Sequence, residues 1–222
     1  MKNGVYAFKG FEFEAVRGRG ITIKNYTGEA ERLVIPEKIN GVLVTAIGKR
    51  AFFKREHLTG IEIPSTITVI GDWAFAECRG LTGAAIPTSV TVIGEAAFAW
   101  CGSLSRVAIP YSVAAIGKWA FAWCAKLISV VIPTSITVIE EGAFSACGSL
   151  ARVAIPASVT AIGSRAFAGC MNITSLDIPV SVAAIGEKAF WGCWNLTSVH
   201  LSRKTEVGHE AFPRGVRRTY ND

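Results

Sequence analysis

The sequence predicts a solenoid, a single elongated domain of stacked coils, and three observations predict it. Ile-Pro pairs end at Pro36, Pro64, Pro87, Pro110, Pro133, Pro156 and Pro179. Ala-Phe pairs end at Phe52, Phe75, Phe98, Phe121, Phe144, Phe167, Phe190 and Phe212. Cysteines fall at Cys78, Cys101, Cys124, Cys147, Cys170 and Cys193. Neighbouring members of each series lie 23 residues apart, except for a step of 28 after Pro36 and one of 22 before Phe212. A fixed period in the twenties means that each repeat is one coil, which buries its apolar face only against the next. With 222 residues, 50% of them hydrophobic, the chain can bury a sizeable core.

Residues 1–31 read as an N-terminal cap. Phe11, Phe13 and Ala15 alternate with Glu12, Glu14 and Val16, and Ile21, Ile23 and Asn25 alternate with Thr22, Lys24 and Tyr26. Around Arg17-Gly18-Arg19-Gly20 this period of two predicts a β-hairpin. A solenoid needs such a cap, because its first coil otherwise exposes an apolar end. Residues 32–212 hold about eight repeats. The first carries its extra residues around Lys38 to Val44, with Asn40-Gly41 as a tight turn. Residues 213–222 are polar and are expected to fray.

The skeleton of one copy, as in Leu104 to Cys124, is L-x-x-V-x-I-P-x-x-V-x-x-I-G-x-x-A-F-x-x-C. The segment L-x-x-V-x-I reads as a strand that ends at Pro, which has no donor for a ladder. S-V-x-x-I reads as a second extended piece on the flank. G-x-x-A-F-x-x-C reads as a short helical turn on the convex side, with Phe as the large core residue. Glu140 stands where the other full copies have Gly, which means either a kinked coil or a position with no need for positive φ. In the last coil Arg203 and Lys204 read as protection of an open edge.

This skeleton resembles the leucine-rich repeat family in its treponemal, or BspA-like, subclass. The resemblance implies an α/β right-handed solenoid, mostly β, with a parallel sheet on its concave face. It also implies that the row of outward strand positions binds partners, and it suggests a bacterial surface adhesin for host matrix proteins as an alternative function. The opening MKNGVYAFKGFEFEAV lacks the apolar core of a signal peptide. A cytoplasmic location is therefore expected unless a leader was removed.

Charge and chemistry narrow the function. The formal net charge is +6. Residues 1–55 carry eleven basic and five acidic side chains, and residues 56–200 carry seven and nine. The excess thus sits at the ends, without a basic stripe along the repeats, and no nucleic-acid partner is expected. No apolar run is long enough for a membrane helix, so no membrane insertion is expected. The cysteines have no C-x-x-C spacing and read as a buried, reduced ladder rather than a metal or disulfide site. No cofactor is implied. His200 and Asp177 share a register in adjacent coils and read as a solvated ion pair, with no nucleophile to make them catalytic. An enzyme is not expected. The tryptophans Trp73, Trp100, Trp119, Trp123, Trp191 and Trp194 cluster beside Phe and Cys and read as convex or flank packing, with Trp100 stacked on Trp123.

The informative row is the outward strand position. It reads Glu62, Ala85, Ala108, Val131, Ala154, Asp177 and His200, so four central positions are apolar. Tyr111 and Ile128 lie close by, and Arg106, Arg152, Ser129 and Ser175 form the rim. Four coils at about 4.8 Å and a width of roughly 15 Å give a patch of about 300 Å², the scale at which an apolar patch signals interaction. The expected function is non-enzymatic binding of a protein or hydrophobic peptide on this strip. A homo-oligomer through the same face is the further possibility, since a self-complementary apolar patch favours two-fold pairing.

Overall fold

The computed structural model describes residues 5–16 and 18–221. Its cap consists of β1 (Val5–Phe8), β2 (Phe11–Val16) and β3 (Gly20–Tyr26), paired antiparallel. The expected hairpin is β2 with β3, and β1 extends it. Arg17, in the expected turn, lies outside the described residues. β3 then pairs parallel with Val42–Ile47, so the cap is continuous with the flank sheet of the solenoid. The long first coil doubles back through Asn40 and Gly41, at φ 50° and 79°, where Lys38–Ile39 pairs antiparallel with Val42–Ile47. Two successive positive φ values make the tight hairpin turn that Asn-Gly favours.

Each later coil contributes two short strands. One lies on the concave face, from Arg32–Val34 and Gly60–Glu62 through Arg106–Ala108 and Ser129–Val131 to Ser198–Leu201. The other lies on the flank, as in Val69–Ile70, Val92–Ile93 and Ala115–Ile116. Apart from a few breaks, both stack in parallel with their equivalents in neighbouring coils. The core between them is a column of rings. Phe52, Phe75, Phe98, Phe121, Phe144, Phe167, Phe190 and Phe212 stack in sequence, with centroids 5.0 to 5.5 Å apart. Inward Leu, Val and Ile of each coil close around them.

The third side departs from expectation. No helix is present among the described residues, so the class is all-β rather than α/β. The G-x-x-A-F-x-x-C segment is a run of tight turns. Within the Phe75 coil, Ala74, Ala76 and Cys78 donate to the carbonyls of Gly71, Trp73 and Phe75. The alternate amides of Trp73, Phe75 and Glu77 donate outward, to Glu95, Ala97 and Ala99 of the next coil. Trp73 and Glu77 reach those partners by adopting φ of 58° and 60°. Two left-handed residues four apart prevent a right-handed helix, and each costs roughly 1–2 kcal/mol in an L-residue. The inter-coil hydrogen bonds offset that cost.

Glu140 has a physical consequence. Gly94 and Gly117, at the equivalent position, do not have positive φ. They are glycines for lack of space. A Cβ on Gly94 would come 2.6 Å from Asp72 N, and one on Gly117 2.5 Å from Glu95 N. Gly117 N bonds Ile93 O at 2.8 Å, and Gly163 N bonds Ile139 O at 2.7 Å. No such bond joins Glu140 to Ile116 among the described residues, and the flank strands Ala115–Ile116 and Val138–Ile139 are not paired with each other. The concave strands Arg106–Ala108 and Ser129–Val131 are not paired with each other either, although Ile128 N donates to Ser105 O at 3.4 Å, and the concave ladder breaks again between Arg152–Ala154 and Ser175–Asp177. The coils remain joined on the turn side, where Trp119, Phe121 and Trp123 donate to Glu141, Ala143 and Ser145. Glu140 therefore opens the flank ladder, a seam at mid-solenoid, because its side chain cannot occupy the space a glycine leaves.

The C-terminal expectation is also corrected. Arg217–Tyr220 does not fray; it adds a parallel strand to Ser198–Leu201. The edge of the concave sheet is thus this arginine-bearing strand, and Arg203 lies over the Tyr220 ring at 4.7 Å. Charged side chains on an exposed edge oppose the addition of further strands.

Candidate binding faces

The concave row is organised by strand alternation. Ala84, Val107, Val130 and Leu176 point into the core, which leaves Glu62, Ala85, Ala108, Val131, Ala154 and Asp177 exposed. These residues do not form one continuous strip. Glu62, Ala85, Arg106 and Ala108 line one hollow of ≈ 510 Å³, together with Arg32 and Val34. Arg152, Ala154 and Asp177 line a second, of ≈ 560 Å³. Between the two stand Val131 and Ile128, which are 73% and 55% exposed. They coincide with the seam beside Glu140. Tyr111 is 77% exposed on the turn after Pro110. The face is therefore an apolar ridge between two arginine-lined hollows.

His200 ends the row differently from expectation. Its strand is in register with Asp177, as the repeat implies. The ring, however, lies with Nδ1 2.8 Å from Thr219 Oγ1 on the final strand, and no ion pair with Asp177 forms among the described residues. The added strand supplies a nearer partner. Arg32 and Val34 were not anticipated as part of this face, although Val34 holds the outward register two residues before Pro36.

The cysteines are buried and free. Each thiol donates to a phenylalanine carbonyl 26 residues earlier, as Cys78 does to Phe52 at 3.0 Å and Cys124 to Phe98 at 3.2 Å. Burial pushes the Cys78, Cys147 and Cys193 thiols up to about 12, and the others upward as well. Such thiols are protonated and unreactive at neutral pH. A second ladder uses serines. Ser112, Ser158 and Ser181 donate to Val90, Ile136 and Val159 of the preceding coil, each at 2.8 Å. The short polar letter after each Pro was the signal for it. Among the described residues no group of three His, Cys, Asp or Glu could hold a metal ion. No helix is long and apolar enough to cross a membrane.

The tryptophans occupy the turn side. Trp73, Trp100, Trp119 and Trp123 all sit at the left-handed positions, with φ of 58° or 59°. Farther along the solenoid the register of Trp73 and Trp119 carries Gly142, and that of Trp100 and Trp123 carries Gly169 and Gly192. Trp100 stacks on Trp123 at 4.8 Å and on Trp73 at 5.8 Å. The rings pack over Ala76, Ala96 and Ala99 and form a small apolar cluster outside the main core. Trp73, Trp100 and Trp119 are packed, as expected of all six tryptophans, whereas Trp123, Trp191 and Trp194 remain 41%, 47% and 64% exposed.

A family model for the BspA type leucine rich repeat region, in six copies, matches residues 25–147 and 114–215. The chain belongs to the BspA-type leucine-rich repeat family. Solved structures of leucine-rich repeat proteins share the fold. A leucine-rich repeat protein of T. pallidum is similar over 96% of this chain and 92% of its own, with 26% identity and a TM-score of 0.68. One from Bacteroides ovatus is similar over 97% of this chain and 70% of its own, with 21% identity and a TM-score of 0.66. No functionally curated protein matches. Leucine-rich repeats are a general protein-interaction fold, and nothing in this BspA-type chain indicates catalysis.

Proposed function

We propose that this chain is a non-enzymatic binding module whose concave face receives a protein or hydrophobic peptide. One observation carries the reading: Val131 and Ile128 project from the centre of the concave face at 73% and 55% exposure. Leaving two large aliphatic side chains exposed side by side at the centre of the face is unfavourable by about 25 cal/mol per Å². A partner that covers them recovers this energy. The hollows on either side present Arg106 and Arg152, which suit carboxylates on the same partner. A second copy of the chain is one such partner.

The test is the double variant Ala108→Glu, Val131→Glu. Both positions are exposed, so the variant should fold. Sedimentation velocity reads self-association, and panning a displayed peptide library on the immobilised protein reads peptide capture. Loss of both signals in the folded double variant supports the concave ridge. Undiminished association or capture places the interface elsewhere.

A further inference from the structure

The tryptophan cluster on the turn side has a shape that packing alone does not require. In the register of Trp73 and Trp119 the coil between them carries Ala96. The column of rings therefore has a notch one residue wide. Ala96 is its floor, Trp100 and Trp123 its side wall, and Glu95 stands at its rim; the groove holds ≈ 320 Å³. Trp73 and Trp119 are two coils apart, about 9–10 Å along the backbone, which after allowing for ring contact leaves a space on the order of 6 Å.

The charges around this notch are arranged for a cation. Glu95 is exposed, and its carboxylate has no ion-pair partner among the described residues. Asp72 lies one coil away and accepts a hydrogen bond from Glu95 N at 3.0 Å. The neighbouring cation, Lys118, is held by Glu141 at 3.2 Å. At the other end of the same ladder a cation is already bound from within the chain. The Arg50 guanidinium lies 5.2 Å from the Phe53 centroid and 5.7 Å from that of Trp73. Both distances fall within the roughly 6 Å range of cation–π attraction, for which Trp is the strongest partner. The notch past Trp73 is lined by other indoles, which overlap one another in part (Trp73 with Trp100 at 5.8 Å, Trp119 with Trp123 at 6.0 Å), and it has a free carboxylate at its rim.

We propose that the notch over Ala96 binds a quaternary ammonium group, with Trp73, Trp100, Trp119 and Trp123 contacting its methyls and Glu95 balancing its charge. A trimethylammonium head has the compact size the notch admits. It needs no hydrogen-bond donor, and it is less costly to strip of water than a primary ammonium, so an aromatic surface recognises it well. This site is independent of the concave face, which lies on another side of the coils.

Choline chloride titrated at constant chloride, followed by tryptophan fluorescence and by calorimetry, tests the assignment. The comparison ligand is 3,3-dimethyl-1-butanol, which keeps choline's shape without its charge. Choline should bind saturably in the millimolar range, and the neutral isostere at least about tenfold more weakly. Trp123→Ala should weaken choline at least about fivefold and Glu95→Gln about two- to threefold, whereas Val131→Glu should leave it unchanged. If Trp123→Ala does not fold, Glu95→Gln and the isostere still decide. Equal binding of choline and its isostere would overturn the proposal, as would saturable binding of N-acetylglucosamine in place of choline. So would the absence of a saturable choline response up to about 100 mM.

Discussion

Gly142 lies beneath the indole of Trp119, so close that a Cβ on it would overlap the ring. Gly142 also has a φ of 61°, a conformation that costs an L-residue energy. The pair is the joint at which the tryptophan coils meet the glycine-bearing coils, and it lies on the side where the seam stays closed. Gly142→Ala should therefore destabilise the chain by about 2–3 kcal/mol, from backbone strain and displacement of the ring together. A urea unfolding curve reads the stability. A red shift of the tryptophan emission reads the ring, and an unshifted spectrum would mean that Trp119 does not rest on Gly142.

Glu140→Gly should have the opposite effect. Glycine at this position lets the coils before and after close up, as at Gly117 and Gly163, where the amide bonds the preceding coil at 2.8 and 2.7 Å. The variant should gain a bond from residue 140 to the preceding coil and one from Thr137 N, whose equivalents Ala114 and Thr160 each bond the preceding coil at 2.8 Å. Each is worth about 0.5–1.5 kcal/mol, against a backbone-entropy loss of about 0.5–1 kcal/mol. A net gain of about 1 kcal/mol is expected in urea unfolding. Slower hydrogen exchange at the amides of residues 137 and 140 locates the gain, and unchanged exchange there would show that the seam has another cause.

These two positions mark the boundary of what was legible in the sequence. The period of 23 residues specified which side chains face inward, and Phe121 and Cys124 sit where it placed them. The absence of the expected helical turns was not foreseeable from the same letters, because Gly-x-x-Ala-Phe spacing suits a helix as well as a turn run. What excludes the helix is the amide of Trp73 reaching Glu95 in the next coil, a non-local bond that no window on one coil contains. The tail misled for a similar reason. Arg217–Tyr220 lacks an apolar pattern, and only the open edge at Ser198–Leu201 makes it a strand. At the candidate site the row of alanines was readable, but its division into two hollows was not. That division follows from Val131 and Ile128 rising beside the seam.

Removing one ring from the central column should be costly in proportion to its burial. Phe121 is fully buried between Phe98 and Phe144, at 5.3 and 5.5 Å. Phe121→Ala should lose about 3–5 kcal/mol. Because a coil's stability rests on its neighbours, the loss should divide the transition. Calorimetry should then show two thermal steps in place of one, and a single sharp step would mean that the column is more cooperative than a chain of nearest-neighbour contacts.

The cysteine ladder predicts a dependence on alkaline pH. The Cys78, Cys147 and Cys193 thiols are held up to about 12 in the folded chain, from an ordinary value of 9.0, because burial disfavours the thiolate. A raised folded value means that the unfolded chain loses these protons first as pH rises. The stabilisation is complete below pH 9.0 and is lost between 9.0 and about 12. Within that window each such thiol should lower stability by about 1.4 kcal/mol per pH unit. Urea midpoints measured from pH 8 upward should therefore begin to fall near the ordinary thiol value. Cys147→Ala should be less stable at neutral pH, because Cys147 fills buried space and donates to Phe121 O at 3.2 Å. Its alkaline decline should nevertheless be shallower by one thiol's share. A decline as steep as that of the parent chain would mean that groups other than the ladder titrate in this range.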